Sequence, residues 1–131
     1  MVSANERAVA ATKLAKARDF YLMATIAQDG QLWDPAVSLA VSAAVNASDA
    51  LCVLVLGDYP RGRDHGEAVR ILRRAGFDQA SSSLAKILAL KDKAQYSAAR
   101  CTESDGDNAL KRAERLITRA DQQISIDGVQ R

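Results

Sequence analysis

Between Ala36 and Leu56 the chain has no lysine or arginine, and apolar residues cover most of the circumference a helix there would have. A helix apolar all round must be buried, either as the central helix of a bundle or in a membrane. Its ends are legible. Asp34 can accept backbone N–H bonds as the N-cap, Pro35 at the first helical position loses no needed donor, and Trp33 can pack onto the first turns. Gly57 can take the left-handed conformation that stops a helix. Ser38, Ser42, Asn46 and Asp49 interrupt the apolar run in steps of four, four and three, on one side of the helix. A carboxylate in mid-membrane is costly, so the reading is a core helix, with no membrane partner.

The remainder has the pattern of an all-α domain. Of the 131 residues 48% are hydrophobic and only 5% aromatic, with alanine, the best helix former, dominating the apolar set. A first helix is expected from about Ala4 to Ala27, with Ala8, Ala11, Leu14, Ala15, Tyr21 and Leu22 inward and Arg7, Lys13, Lys16 and Arg18 in water. A third opens at Asp64, with Glu67 completing a capping box, and ends at Gly76. Its inner stripe is Ala68, Ile71, Leu72 and Ala75. A fourth follows the Ser81-Ser82-Ser83 run, with Leu84, Ile87, Leu88 and Lys91 on one side. A fifth starts near Ser104 and carries Leu110, Ala113, Leu116 or Ile117, Ala120 and Ile124 at helical spacing. Short connections favour antiparallel neighbours, so the expectation is one domain over residues 1–131, a five-helix up-and-down bundle.

Several chemistries are disfavoured at once. A net charge of +2 is too mild to diagnose a nucleic-acid binder, and the basic residues are too dispersed for a helix-turn-helix. Gly57, Gly62 and Gly66 do not form a phosphate loop, and one histidine with two distant cysteines builds no zinc site. No cofactor or metal is expected. Cys52 and Cys101 are no disulfide framework, and the first residues lack the apolar core of a signal peptide. Both point to a reducing cytoplasm.

Three polar residues fall on faces that should be buried: Asp49, Lys91 and His65, the one histidine. A buried charge without a partner costs several kcal/mol, so Asp49 needs a cation or donor. Lys91 is the expected one, with His65 and Tyr96 as nearby donors. Each also has a structural reading: Asp49 as an interhelical acid, Lys91 as a snorkelling cation, His65 as a local hydrogen-bonding residue. Arg61, Arg63, Arg70, Arg73 and Arg74 make a positive patch, softened by Asp58, Asp64 and Glu67.

The stretch Leu84 to Tyr96, ending Lys91-Asp92-Lys93-Ala94-Gln95-Tyr96, resembles the Arg-x-x-Ala-Asp-Tyr ending of the fourth helix in HEPN domains. A polar loop then leads to a last helix with alanines at packing spacing, Asn108-Ala109-Leu110 to Glu114-Arg115-Leu116. The long apolar second helix and His65 opening the third also fit, so the resemblance covers roughly residues 34 to 125. It implies a small helical bundle that dimerises and associates with RNA. Many members are metal-independent ribonucleases of toxin–antitoxin or defence systems, or pair with a minimal nucleotidyltransferase. In their mechanism a histidine exchanges a proton with the ribose hydroxyl and an arginine stabilises the phosphorane charge.

The family's signature is an arginine, four to six residues, then histidine. Here only three residues separate Arg61 from His65, Arg63 is closer still, and Lys91 stands where the fourth-helix arginine would be. Lysine keeps the charge but loses the bidentate fork. The family's mechanism therefore does not carry over residue by residue; for an activity that survives, Asp49, His65, Lys91 and Tyr96 are the candidate catalytic residues, with Arg61 and Arg63 as phosphate contacts. The competing reading is a non-catalytic dimeric interaction module, in which the polar stripe only specifies packing.

Overall fold

Ser3 starts the first helix by accepting the Glu6 backbone N–H at 3.0 Å, an N-cap bond that satisfies one of the orphan donors of the first turn. That helix, α1, spans Ala4–Asp29. It is followed by α2 (Trp33–Leu56), α3 (His65–Arg74), α4 (Asp78–Gln95) and α5 (Glu103–Val129). The computed structural model describes residues 2–60 and 65–129, and among them there is no strand.

Side-chain pairings give the directions. Lys13 meets Asp49, and Glu6 lies beside Gly57, so α1 and α2 are antiparallel. Arg18 pairs with Asp121 and Gln28 with Asp107, which runs α5 antiparallel to α1. Lys93 pairs with Asp105 across the α4–α5 turn, making those two antiparallel as well. The short α3 folds back on α4, tied by the Ser81 hydroxyl donating to the Val69 carbonyl at 2.8 Å. Helix α2 packs on all four others, whereas α1 and α4 are not neighbours. The result is a lozenge: α2 and α5 lie along the short diagonal, with α1 and α4 on the flanks.

Small side chains make that diagonal. Ala109, Ala113, Leu116 and Ala120 of α5 are completely buried, in steps of four, three and four. Ala36, Ala40, Ala43, Ala44, Ala47 and Ala50 of α2 are buried to the same degree. Alanine-lined helices approach closely, and the larger Leu51, Leu72, Leu84 and Ile87 fill the remaining volume. Each such aliphatic side chain contributes about 1.5–3 kcal/mol by leaving water. Helix α2 has the length and hydropathy of a span, but 67% of its most apolar window is buried inside the bundle.

Four local expectations are corrected. Asp34 is not the N-cap of α2: Leu32 holds that position without a side-chain bond. The Asp34 carboxylate instead accepts the Cys101 N–H at 2.8 Å, with Arg100 Nε at 3.5 Å, clamping the loop before α5. Helix α4 begins at Asp78, ahead of the serine run, because Ser81 and Ser83 face inward rather than cap. In α1 the stripe is rotated. Ala10, Leu14, Ala17, Ala24 and Ala27 are buried, while Ala8, Ala11, Ala15 and Leu22 face out. Ala75, expected on the inner stripe of α3, is exposed in the turn that follows it. The α2 stop at Gly57 is as expected, with φ of 80° and its N–H bonded to the Val53 carbonyl.

Candidate functional site

The polar stripe of α2 survives, but most of its bonding is internal. The Ser42 hydroxyl donates to the Ser38 carbonyl at 3.3 Å, and the Asn46 amide donates to the Ser42 carbonyl at 2.9 Å. Such i to i−4 back-bonds satisfy a polar side chain on an apolar helix without a tertiary partner. Asp49, one turn further, is only 8% exposed and does need a partner.

That partner is Lys13, not Lys91. The Lys13 Nζ lies 3.3 Å from Asp49 Oδ2 and 4.1 Å from the centre of the Tyr59 ring, so the ammonium is held by an ion pair and a cation–π contact together. Burial pushes the Asp49 pKa above the ordinary carboxylate range; the charge of Lys13 and, more weakly, of His65 pulls it back. The correction follows from packing: α1 lies alongside α2 for most of its length, and α4 touches α2 less. A signal for it exists in the sequence. Lys13 stands three residues after Ala10 and four before Ala17, on the very stripe that α1 buries.

His65 and Lys91 do come together. They line one cavity of about 180 Å³ between the flanks, with Ser42, Asn46, Val41 and Val45 of α2, Phe20 of α1 and Gln95 of α4. His65 opens α3 and Lys91 lies near the end of α4, so two consecutive helices deliver the imidazole and the ammonium. The lining contains an imidazole, an ammonium, a hydroxyl and two carboxamides, and no carboxylate. The volume is below the range of about 300–1,000 Å³ that encloses a small organic ligand, but it admits a single phosphate group. Lys91 forms no ion pair among the described residues.

The other candidates lie elsewhere. Tyr96 is the C-cap of α4 and is 74% exposed, outside the cavity lining. The helix ends there, which swings its ring out into solvent. Arg61, Arg63 and the expected cap Asp64 lie outside the described residues. Among the described residues no three of His, Cys, Asp and Glu converge as a metal-holding group. Both cysteines are free and buried; burial is the first cause that raises Cys52 to about 12 and Cys101 to about 11.

Two further features escaped the sequence reading. The Gln28 amide donates to the Glu103 carbonyl and to Asp107 Oδ1, both at 3.0 Å, and Gly106 leaves the room for it. The Tyr21 hydroxyl donates to Glu114 at 2.8 Å and, buried beside that acid, is pushed up to about 12. Comparison of the chain with protein-family models gives no match, and comparison with curated proteins gives none either.

Proposed function

We propose that the chain is a HEPN-like, RNA-associated helical module whose working site is the cleft over α2. One observation carries this reading: His65 and Lys91 share a cavity that holds hydrogen-bonding groups and no acid. A phosphodiester is the ligand such a lining suits, because every charged or chargeable group in it is a cation or becomes one. Asp49 supports the cleft indirectly, as the ion-paired end of the stripe beside His65. The proposed activity is binding. Lys91 supplies charge to a phosphate but not the two-pronged grip of an arginine, and Tyr96 stands away from the lining.

The test is incubation of purified protein with single-stranded and structured RNA, with and without chelator. Binding weakened by His65→Ala and by Lys91→Ala is the expected result. Cleavage that persists in chelator and disappears with either substitution would extend the reading to a metal-independent ribonuclease. Failure to bind either RNA would end it.

A second reading, an interaction module, is favoured by a separate observation. Leu22, Met23 and Ile26 on the outer side of α1 are 59%, 50% and 54% exposed. Such a row on a flank helix suits coverage by another chain. The proposed partner is a second copy, as in a homodimer, with a nucleotidyltransferase-type or antitoxin partner as the alternative. Light scattering decides the first: a monomer across the micromolar range removes the homodimer. Two unpaired thiols suit a reducing cytoplasm.

A further inference from the structure

The molecule has a concavity larger than the cleft over α2. It lies between α4 and α5, on another side of α4, with a volume of about 1100 Å³. Four cations reach it: Lys86 from α4 and Arg112, Arg115 and Arg119 from α5. Lys86, Arg112 and Arg115 form no ion pair among the described residues. Arg119 lies over the Phe77 ring at 4.6 Å and donates to Gln123 Oε1 at 3.0 Å. Of the two acids in the lining, Asp78 and Glu114, the second is already committed to the Tyr21 hydroxyl. Arg73 and Arg74, both exposed, stand in the last turn of α3 just before Gly76 and Phe77 of the wall.

The cations of α5 are aligned along the groove. Arg112, Arg115 and Arg119 are three and four residues apart, hence on one side of α5, at rises of about 4.5 and 6 Å. The α5 wall from Arg112 to Gln122 is about 15 Å long at 1.5 Å per residue. A stacked single strand advances about 3.4 Å per nucleotide, so about four nucleotides fit along it. The Arg119 guanidinium, braced by Phe77 beneath, offers a flat cationic surface on which a base can stack.

We propose that the α4–α5 groove binds the phosphodiester backbone of a single-stranded polynucleotide, with Arg112, Arg115 and Arg119 on phosphates within a stretch of about four nucleotides and Lys86 on the opposite wall. The choice of a polynucleotide rests on the RNA-associated reading above, but the site is a different face and shares no residue with the cleft. Phosphate contacts of this kind carry no sequence information and are salt-dependent: three of them give a slope of log K against log salt of about −2 for a single strand.

Fluorescence anisotropy with labelled 12-nucleotide oligouridylate and oligodeoxythymidylate, over a salt series, tests this on the full chain. The Arg112→Glu/Arg115→Glu variant should lose at least tenfold in affinity, with the salt slope smaller in magnitude by about 1.4. Circular dichroism checks its fold, and Arg112→Gln/Arg115→Gln, which removes charge without reversing it, should show the same direction. Binding of RNA, DNA or both, lost with these arginines, upholds the groove and names the source. The His65→Ala/Lys91→Ala variant separates the two sites. If it alone abolishes binding while the groove variants stay within twofold of the parent, the groove is overturned and the cleft stands. If the groove variants lose binding and the cleft variant does not, the reverse holds. Competition by adenosine monophosphate as effective as by oligonucleotide of equal phosphate concentration would also overturn a backbone site.

Discussion

Replacing Lys13 with methionine keeps the aliphatic stem in its place against α2 and removes the ammonium that pairs with Asp49. At the observed 3.3 Å the attraction is about 5 kcal/mol for an effective dielectric constant of about 20. The side chains are 18% and 11% exposed, so water screens part of it. Breaking a fully buried pair costs about 3–5 kcal/mol because the remaining charge is stranded; with this exposure about 2–3 kcal/mol is expected, including the cation–π contact to Tyr59. For a chain of this size that is a fall in Tm of about 8–12 °C. Asp49→Asn should cost less, about 1 kcal/mol, since it removes the group whose burial is unfavourable. The double variant should fall well short of the sum. Proton linkage fixes the pH dependence. The folded pKa of Asp49 is raised, so its contribution to stability is greatest below the unfolded value of about 3.9 and is lost as pH rises through the folded one. Without Lys13 the folded pKa climbs further, so the deficit of Lys13→Met widens from acid toward neutral pH. Urea denaturation of the four proteins of the cycle at pH 4 and pH 7 measures this. A coupling below about 0.5 kcal/mol at pH 7, or a deficit that does not change with pH, would refute the reasoning.

Gly106→Ala should destabilise by about 1 kcal/mol. The new methyl overlaps the Gln28 carboxamide and costs its two hydrogen bonds, against the gain in helix propensity, and Gln28→Ala in the same chain should reverse the loss in thermal melts. Neither thiol should react with iodoacetamide at pH 8 in the native protein, since Cys52 and Cys101 are buried and raised to about 12 and 11, while both label in urea; rapid native labelling seen by mass spectrometry would contradict the packing. Asp34→Ala should cost about 1 kcal/mol at pH 7 through the lost Cys101 N–H bond. That bond is the main cause holding the Asp34 pKa below the usual range, so its stabilisation is present above that range and lost as pH falls through the folded value. The gap between the two proteins should therefore narrow in urea melts as the pH is lowered below the ordinary carboxylate range.

Much of this fold is legible one helix at a time. The apolar run ending at Gly57, the Leu72 and Leu84 stripes and the four–three–four spacing of Ala109 to Ala120 are local patterns, and a period of 3.6 residues is written in the chain itself. The class, the number of helices and the burial of α2 follow from them. What the pattern alone does not contain is the rotation of an alanine-rich helix about its own axis. With Ala8, Ala10, Ala11, Ala15 and Ala17 so alike, the buried arc of α1 is set by what it packs against, and Lys13 came out inside rather than in water. The same holds for partners. Asp49 announced that it needed a cation, but only the order of helices around α2 decided between Lys13 and Lys91. That order also placed Lys91 with His65 and gathered three arginines of α5 opposite Lys86. Periodicity is a property of neighbouring residues along one chain segment, whereas these sites are made between segments, where packing of side chains and not their sequence spacing sets the distance.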